Sequence, residues 1–530
     1  MRKFVFATFG VLWAVACASG QGSTASPGAA TATPTLVVLI TIDGFREANL
    51  DKYGSQFTGG LGRLIKQGAW FTNAHHDHAI TETAPGHASL LSGRYPRSTG
   101  ISANRAGVLD QNAPLLGSSG VVGASPFRFQ GTTLFDWLKA KDPRARALSV
   151  SSKDRGAILP IGKAKQQVYW YPGDGEFTTS RYYADSLPEW VTRFNARHLA
   201  QSYAGKSWTL LLPAGAYPEV DSVPVEGAGN DFVFPHPMPV DSQQAAVWLR
   251  ATPFMDEVTV ALALDGVRAM GLGAGPQTDL LAVSLSATDL VNHRLGPDSR
   301  EAHDQVLRDD RVIGVLLDSL FKIRDASKVV VALTADHGFT TIPELAASVN
   351  SHPVRGVSLA PALEAARKRM TLLKVDTTAI EADQQVVLMD RAAFKRANAD
   401  PAVVLKVFGD AAKSIPGVRR IDRLADLFKA DTVHDAIARR WTHQFPANSN
   451  VELVATLTPG SMWAAPLVAT HGSPYDVDSN VPIIFYGPGF TTGKFSDFVR
   501  TVDIAPTLAA RLGIKPAEKL DGVPRKKALK

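Results

Sequence analysis

Four short apolar runs limit how this chain can fold. They are Thr35-Leu-Val-Val-Leu-Ile-Thr-Ile-Asp43, Asp279-Leu-Leu-Ala-Val-Ser-Leu285, Lys328-Val-Val-Val-Ala-Leu333 and Val481-Pro-Ile-Ile-Phe-Tyr486. Each is continuous rather than alternating, and rich in β-branched or aromatic residues. A strand with one wet face alternates apolar and polar residues; a continuous run suits a strand covered on both faces, as in a parallel sheet. Helical patterns lie between the runs, over 301–321 and 503–512. Strands alternating with helices predict an α/β fold, a sandwich with a largely parallel central sheet flanked by helices. Ligands of such folds gather at the carboxyl ends of the strands. Three of the runs lead into an acid there: Asp43, Asp289 and Asp336. One carboxylate could simply cap the next helix. Three, with histidines attached, point to a shared task.

Two long insertions, at about 105–277 and 340–459, interrupt this framework as inserted cap regions. The first carries a predicted helix over 133–140, a strand over 146–151 and the aromatic stretch Tyr169-Trp-Tyr171, which suits cap core or a substrate platform equally. The second has a predicted strand over 385–390 and a helix over 401–412. The expected organisation is a segment 1–19 for export, a leader 20–34 and one catalytic domain over 35–530.

The export reading rests on Arg2 and Lys3 followed by an apolar run of 13 residues, Phe4 to Ala16. That run is short for a bilayer span. Cys17, the single cysteine of the chain, follows Ala14-Val-Ala16, which loosely resembles a bacterial lipobox. The expectation is an exported, periplasmic protein, either free or secreted after cleavage beyond Ala16 or, as the second reading, attached to a membrane only through a lipid anchor at Cys17. Residues 20–34, rich in Ser, Thr, Ala, Gly and Pro, read as a flexible leader. A formal net charge of +6 over 530 residues is too small to indicate a nucleic-acid partner. It leaves oligomeric state open.

Thr81-Glu-Thr-Ala-Pro-Gly-His-Ala-Ser-Leu-Leu-Ser-Gly93 reads as a loop entering a short helix, with Pro85 in the first turn and Gly93 as the stop. Thr83 then stands at the helix N-terminus. It either caps the helix or works beside unpaired N–H groups that favour a phosphate or alkoxide. In Asp289-Leu-Val-Asn-His293 a carboxylate and an imidazole four apart share one helix face and can share a cation. Asp336-His337-Gly338 sets two ligand types side by side, and His471 lies in the later loop Ala469-Thr-His-Gly-Ser-Pro474. Asp/His ligation without sulfur suits zinc and, less selectively, manganese or iron.

Asp43, Thr83 within Thr-Ala-Pro-Gly-His, Asp289 with His293, Asp336-His337 and His471 together resemble the alkaline phosphatase superfamily. The resemblance is closest to the branch with a threonine nucleophile, which includes exported alkaline phosphatases and type I phosphodiesterase/nucleotide pyrophosphatases. It extends to Val481-Pro-Ile-Ile-Phe-Tyr-Gly-Pro-Gly489 and Thr501-Val-Asp-Ile-Ala-Pro-Thr-Leu508. It implies two zinc ions per chain. Asp289, His293 and His471 would hold one; Asp43, Asp336 and His337 would hold the other, which also binds Thr83.

Lys153-Asp-Arg155 follows a strand-like stretch, so an extended i, i+2 pair would point to one face; a polar turn is the plain alternative. The position resembles the Lys-x-Arg of the phosphatase branch, whose cations bind phosphoryl oxygens. A monoester, with two charges, uses such cations better than a diester does. Asn104 resembles the amide that donates to the same group. The expectation is a zinc-dependent phosphate monoester hydrolase with a phospho-threonine intermediate, taking small phosphate monoesters; a phosphodiesterase on the same scaffold is the alternative. His75-His-Asp-His78 and His87 are expected to serve packing or support rather than ligation.

Overall fold

The structure, a computed structural model, describes residue 1 and residues 33–117, 121–346 and 352–530. The segment bearing Cys17 and nearly all of the leader lie outside the described residues.

The continuous apolar runs form the centre of an eight-stranded sheet. In chain order its strands are β1 (Leu36–Ile42), β2 (Ala69–Phe71), β3 (Ala147–Ser151), β4 (Gln167–Trp170), β5 (Asp279–Leu285), β6 (Val329–Thr334), β7 (Ile483–Tyr486) and β8 (Gly493–Phe495). Their spatial order is β8-β2-β7-β6-β1-β5-β3-β4. β1 pairs in parallel with β5 and β6, and β3 in parallel with β5 and β4. Successive side chains of β1 enter opposite cores: Leu36, Val38, Ile40 and Ile42 on one face, Val37 and Leu39 on the other. Both faces are covered, which is why the run carries no polar alternation.

One expectation fails. β7 carries the same unbroken apolar run as the parallel strands, but it pairs antiparallel with both β6 and β2. A strand buried on both faces is apolar whichever way it runs, so composition carries no direction. A second difference concerns the first insertion: β3 and β4 extend the central sheet. Tyr169, Trp170 and Tyr171 are buried, so this aromatic stretch is core and not an exposed platform.

The helices that matter for the site are α1 (Thr83–Ser92), α2 (Asp154–Ile158), α3 (Phe254–Met270), α4 (Ala287–Leu295), α5 (Arg300–Ile323) and α6 (Ile504–Leu512). Every residue of α1 is buried. Gly93 ends it at φ 66°, the left-handed conformation glycine adopts without a Cβ penalty. In the second insertion, antiparallel strands Ile380–Asp383, Val386–Met389, Val451–Leu457 and Val418–Arg423 pair with one another. They bury Val387, Phe394, Val404, Phe408 and Leu453 in a core of their own.

Candidate active site

Four adjacent parallel strands deliver the predicted residues to one edge. β6 ends before Asp336 and His337, β1 before Asp43, β5 before α4 with Asp289 and His293, and β3 before Lys153 and Arg155. The register aligns these exits, with Thr41 opposite both Ser284 and Thr334 and Ser151 opposite Ser284. His471 arrives from a distant loop. That loop is tied down by Asp478, whose carboxylate accepts from Ser473 Oγ (2.6 Å) and Thr340 Oγ1 (2.7 Å). Asp478 carries no ligand signature in the sequence, and only the folded loop reveals it.

The three imidazoles are aimed by backbone carbonyls. Nδ1 of His293 donates to Ala469 O (2.9 Å), Nδ1 of His337 to Gly338 O (2.8 Å) and Nδ1 of His471 to Thr81 O (2.8 Å). A carbonyl only accepts, so Nδ1 carries the proton and Nε2 is left to face the carboxylates. Asp289 Oδ1 lies 3.4 Å from Nε2 of both His293 and His471 and 3.8 Å from that of His337. Asp43 Oδ1 lies 3.4 Å from His337 Nε2. Both carboxylate oxygens are buried and take no hydrogen bond. Lone pairs facing each other at this range repel unless a proton or a metal ion lies between them.

Two triads can therefore hold a metal ion, each with ligand atoms within 4.8 Å of one another: Asp289, His293 and His471, and Asp43, Asp289 and His337. The first matches the expected grouping. In the second, Asp289 stands where Asp336 was expected. Asp336 instead lies 3.1 Å from His87 Nδ1 and 3.6 Å from His337 Nε2, within the same carboxylate cluster. An all-oxygen-and-imidazole donor set of this kind fits a divalent ion of the zinc type.

Electrostatics concentrate negative charge here. Burial opposes ionisation of Asp289, but Lys153, His293 and His471 hold its carboxyl well below the usual range. Burial also lowers His337, yet Asp336, Asp289 and Asp43 outweigh it and push the imidazole up to about 9. Lys153 Nζ, itself buried, lies 2.8 Å from Asp43 Oδ2 and 2.5 Å from Asp289 Oδ2.

Thr83 does not cap α1. Glu82 occupies the cap position, and Thr83 Oγ1 is turned toward the cluster, 3.5 Å from His337 Nε2. Asn104 fills the capping role from outside: its Oδ1 accepts from Ala84 N (2.8 Å), and its own N–H donates to Glu82 Oε2 (2.6 Å). With Oδ1 committed, the Asn104 amide NH₂ is free to donate. His87 bridges Thr83 O (3.0 Å) and Ser284 Oγ (2.9 Å), joining the Thr83 helix to β5.

The expected geometry of Lys153 and Arg155 needs correction. The strand stops at Ser151, and Lys153 is the extended cap of α2 while Arg155 is helical. An exposed pair on a strand would alternate by two; here the chain turns instead. Lys153 still faces the cluster, while Arg155 Nη1 lies 3.4 Å from Asp154 Oδ1. Against burial, Asp154 and then Asp43, Asp289 and Asp336 raise the Arg155 pKa above its ordinary value.

His75, His76 and Asp77 are absorbed by packing. His75 meets Ser479 and Asn73, His76 meets Ala335 O and Thr501, and Asp77 pairs with Arg439. None joins a metal-holding group among the described residues.

A helix-start threonine, six candidate ligands and two cations gather at the carboxyl edge of a parallel sheet, a set suited to metal-assisted hydrolysis. The profile of the type I phosphodiesterase / nucleotide pyrophosphatase family matches residues 37–462, and the chain belongs to that family. Over 512 residues it is 32% identical to alkaline phosphatase PhoV of Synechococcus elongatus, covering 91% of each chain. It is 31% identical to alkaline phosphatase PhoK of a Sphingomonas species, covering 92% of this chain and 90% of that one. The crystal structure of wild-type alkaline phosphatase PafA superposes with a TM-score of 0.86 at 27% identity, covering 95% of this chain and all of that one.

Proposed function

We propose that the chain is a phosphate monoester hydrolase of the alkaline phosphatase type, acting through Thr83 at a site for two zinc ions. The observation that carries this reading is the direction of Thr83 Oγ1. It leaves the helix cap to Asn104 and Glu82 and faces the cluster of Asp43, Asp289 and three inward Nε2 atoms. PhoV, PhoK and PafA bear the name alkaline phosphatase, and likeness to them over nine-tenths of the chain supports the same class of ester.

Asp289, His293 and His471 would hold one ion, and Asp43 and His337 the other, with both Asp289 and Asp336 within reach of His337 Nε2 as its third ligand. Divalent ions there supply Lewis acidity, lowering the pKa of hydroxyl and water and offsetting charge on the leaving oxygen. The chain's own groups do the rest. Thr83 Oγ forms a bond to phosphorus as the ester P–O bond breaks, giving phospho-Thr83 and the free alcohol; a water then breaks the Oγ–P bond and releases phosphate. Lys153 Nζ, the Arg155 guanidinium and the Asn104 NH₂ donate to the non-bridging phosphoryl oxygens, whose charge is highest in a monoester. His87 and Asn104 keep the first turn of α1 in register with β5 and Glu82. The N-terminal segment headed by Arg2 and Lys3 supports export, with Cys17 as the point of lipid attachment.

The deciding assay compares p-nitrophenyl phosphate with bis-p-nitrophenyl phosphate after chelation and after zinc is restored. Zinc-dependent preference for the monoester is expected. Preference for the diester would retain Thr83 and the ligands but move the protein to phosphodiester hydrolysis.

A further inference from the structure

Beyond Arg155 stands a second guanidinium that the mechanism above does not use. Arg250 lies on the single turn Leu249–Ala251, which packs against α4, the helix of Asp289 and His293. Its stem is sheltered by the backbone at Gly173, where an added Cβ would lie 3.6 Å from Arg250 Cδ and 3.8 Å from Nη1. Nε of Arg250 is buried and finds no acceptor, and the same holds for Nε of Arg155. No carboxylate among the described residues comes within 4.0 Å of the Arg250 guanidinium. The neighbouring Tyr171 hydroxyl is committed to Ala246 O (2.8 Å).

The sheet brings the two arginines to one edge: Ser151 pairs with Trp170, Arg155 follows the first of these strands, and Gly173, beside Arg250, follows the second. Arg155 feels Asp154 and then the carboxylates of Asp43, Asp289 and Asp336. Burial first and then the Arg155 charge hold the Arg250 pKa below the ordinary arginine value. Half-buried cations normally carry a partner, because an unpaired donor forfeits hydration without replacement. Two adjacent cations with open donors also repel, and an anion bound between them removes both costs. Guanidinium suits this role, with donors in a planar fork that matches carboxylate and phosphate oxygens.

We propose that Arg250, together with Arg155, forms a second anion subsite beside the phosphoryl position, and that the favoured monoesters carry a further carboxylate or phosphate. The subsite rests on the assignment of Arg155 to the phosphoryl group and extends it to the rest of the substrate. Arg250 is then a specificity residue, reading charge that the reaction itself does not require.

The test uses the zinc-loaded full chain and three matched substrates: butyl phosphate, 4-(phosphonooxy)butanoate, which adds a carboxylate, and propane-1,3-diyl bisphosphate, which adds a phosphate. The readout is the ratio of kcat/KM for each substrate with the added anionic group to that for butyl phosphate. Arg250→Gln is expected to lower that ratio at least about tenfold, the loss of one charge-assisted contact. Arg250→Lys, which retains the charge, is expected to recover part of it and also serves if the Gln variant folds poorly; zinc content and melting temperature monitor both. An unchanged ratio in both variants would overturn the subsite. A fall for only the carboxylate or only the phosphate substrate supports it and identifies the second group. Arg155→Ala separates the underlying assignment: it should depress all three substrates, and unchanged butyl phosphate hydrolysis would overturn the role of Arg155 in phosphoryl binding instead.

Discussion

At the scale of single residues, direction of the side chain matters more than its identity. Thr83 at the start of a helix is an ordinary capping residue until Asn104 takes Ala84 N and releases it. Thr83→Ala is expected to reduce turnover on the order of 10³-fold or more, since the nucleophile is lost, while zinc content measured by atomic emission stays at the wild-type level. Unchanged turnover would remove Thr83 from the mechanism. Lys153 and Arg155 leave the strand end as a helix cap and a helical residue, and Lys153 Nζ reaches Asp43. Lys153→Ala and Arg155→Ala should each lower monoester kcat/KM by roughly 10–100-fold, the loss of a charge-assisted hydrogen bond. Diester hydrolysis should fall much less; equal losses would mean that neither cation reads phosphoryl charge.

At the scale of elements, the site depends on how closely α1 lies against the loop after β6. A Cβ on Gly86 would fall 2.1 Å from Asp336 O, a backbone atom that cannot swing aside. Glycine there is a spacing requirement, and it lets the helix of Thr83 approach the strand of Asp336 and His337. Gly86→Ala should destabilise the protein by about 3 kcal/mol through overpacking and lower activity with it. A melting temperature and kcat equal to wild type would show that the two elements separate freely. The tie between the loops of His337 and His471 through Asp478 is of the same kind: Gly338 N donates to Asp478 O (2.7 Å) while the side chain holds Ser473 and Thr340.

At the scale of the whole molecule, the metal cluster and one buried acid couple stability to solution conditions. Buried carboxylates gathered with several oxygens left unpaired repel one another, so ions that neutralise them bind the folded state. Each zinc at a hundredfold excess over its Kd should add about 2.7 kcal/mol, seen as a rise in melting temperature when the chelated protein is titrated with zinc. No rise would argue against the two triads as ligands. Glu226, against the C-terminal end of α4, is pushed up to about 8 by burial first and then by Glu301 and Asp221. Its proton is bound more tightly in the folded chain, so this contribution is complete below the ordinary glutamate pKa and is lost as pH rises toward 8. Glu226→Gln should therefore raise the melting temperature relative to wild type at pH 9 by more than at pH 5. An equal offset at both would show that Glu226 keeps an ordinary pKa.

The sequence by itself determined the layered α/β plan and singled out Thr83, Asp43, Asp289, His293, Asp336 and His337 as candidates, because these rest on local physics: unbroken apolar runs, a helix start, an Asp and His one turn apart. His471 was legible as a candidate only through resemblance, since 178 residues separate it from His293 by their numbers and no periodicity links a loop to a helix. The direction of β7, the turn that makes Lys153 a helix cap, the placement of Asp289 between both triads and the orphaned donors of Arg250 came from tertiary structure alone. Burial hides strand direction from composition. Whether a polar atom has a partner is settled by residues far away in the chain, where short-range patterns carry no information.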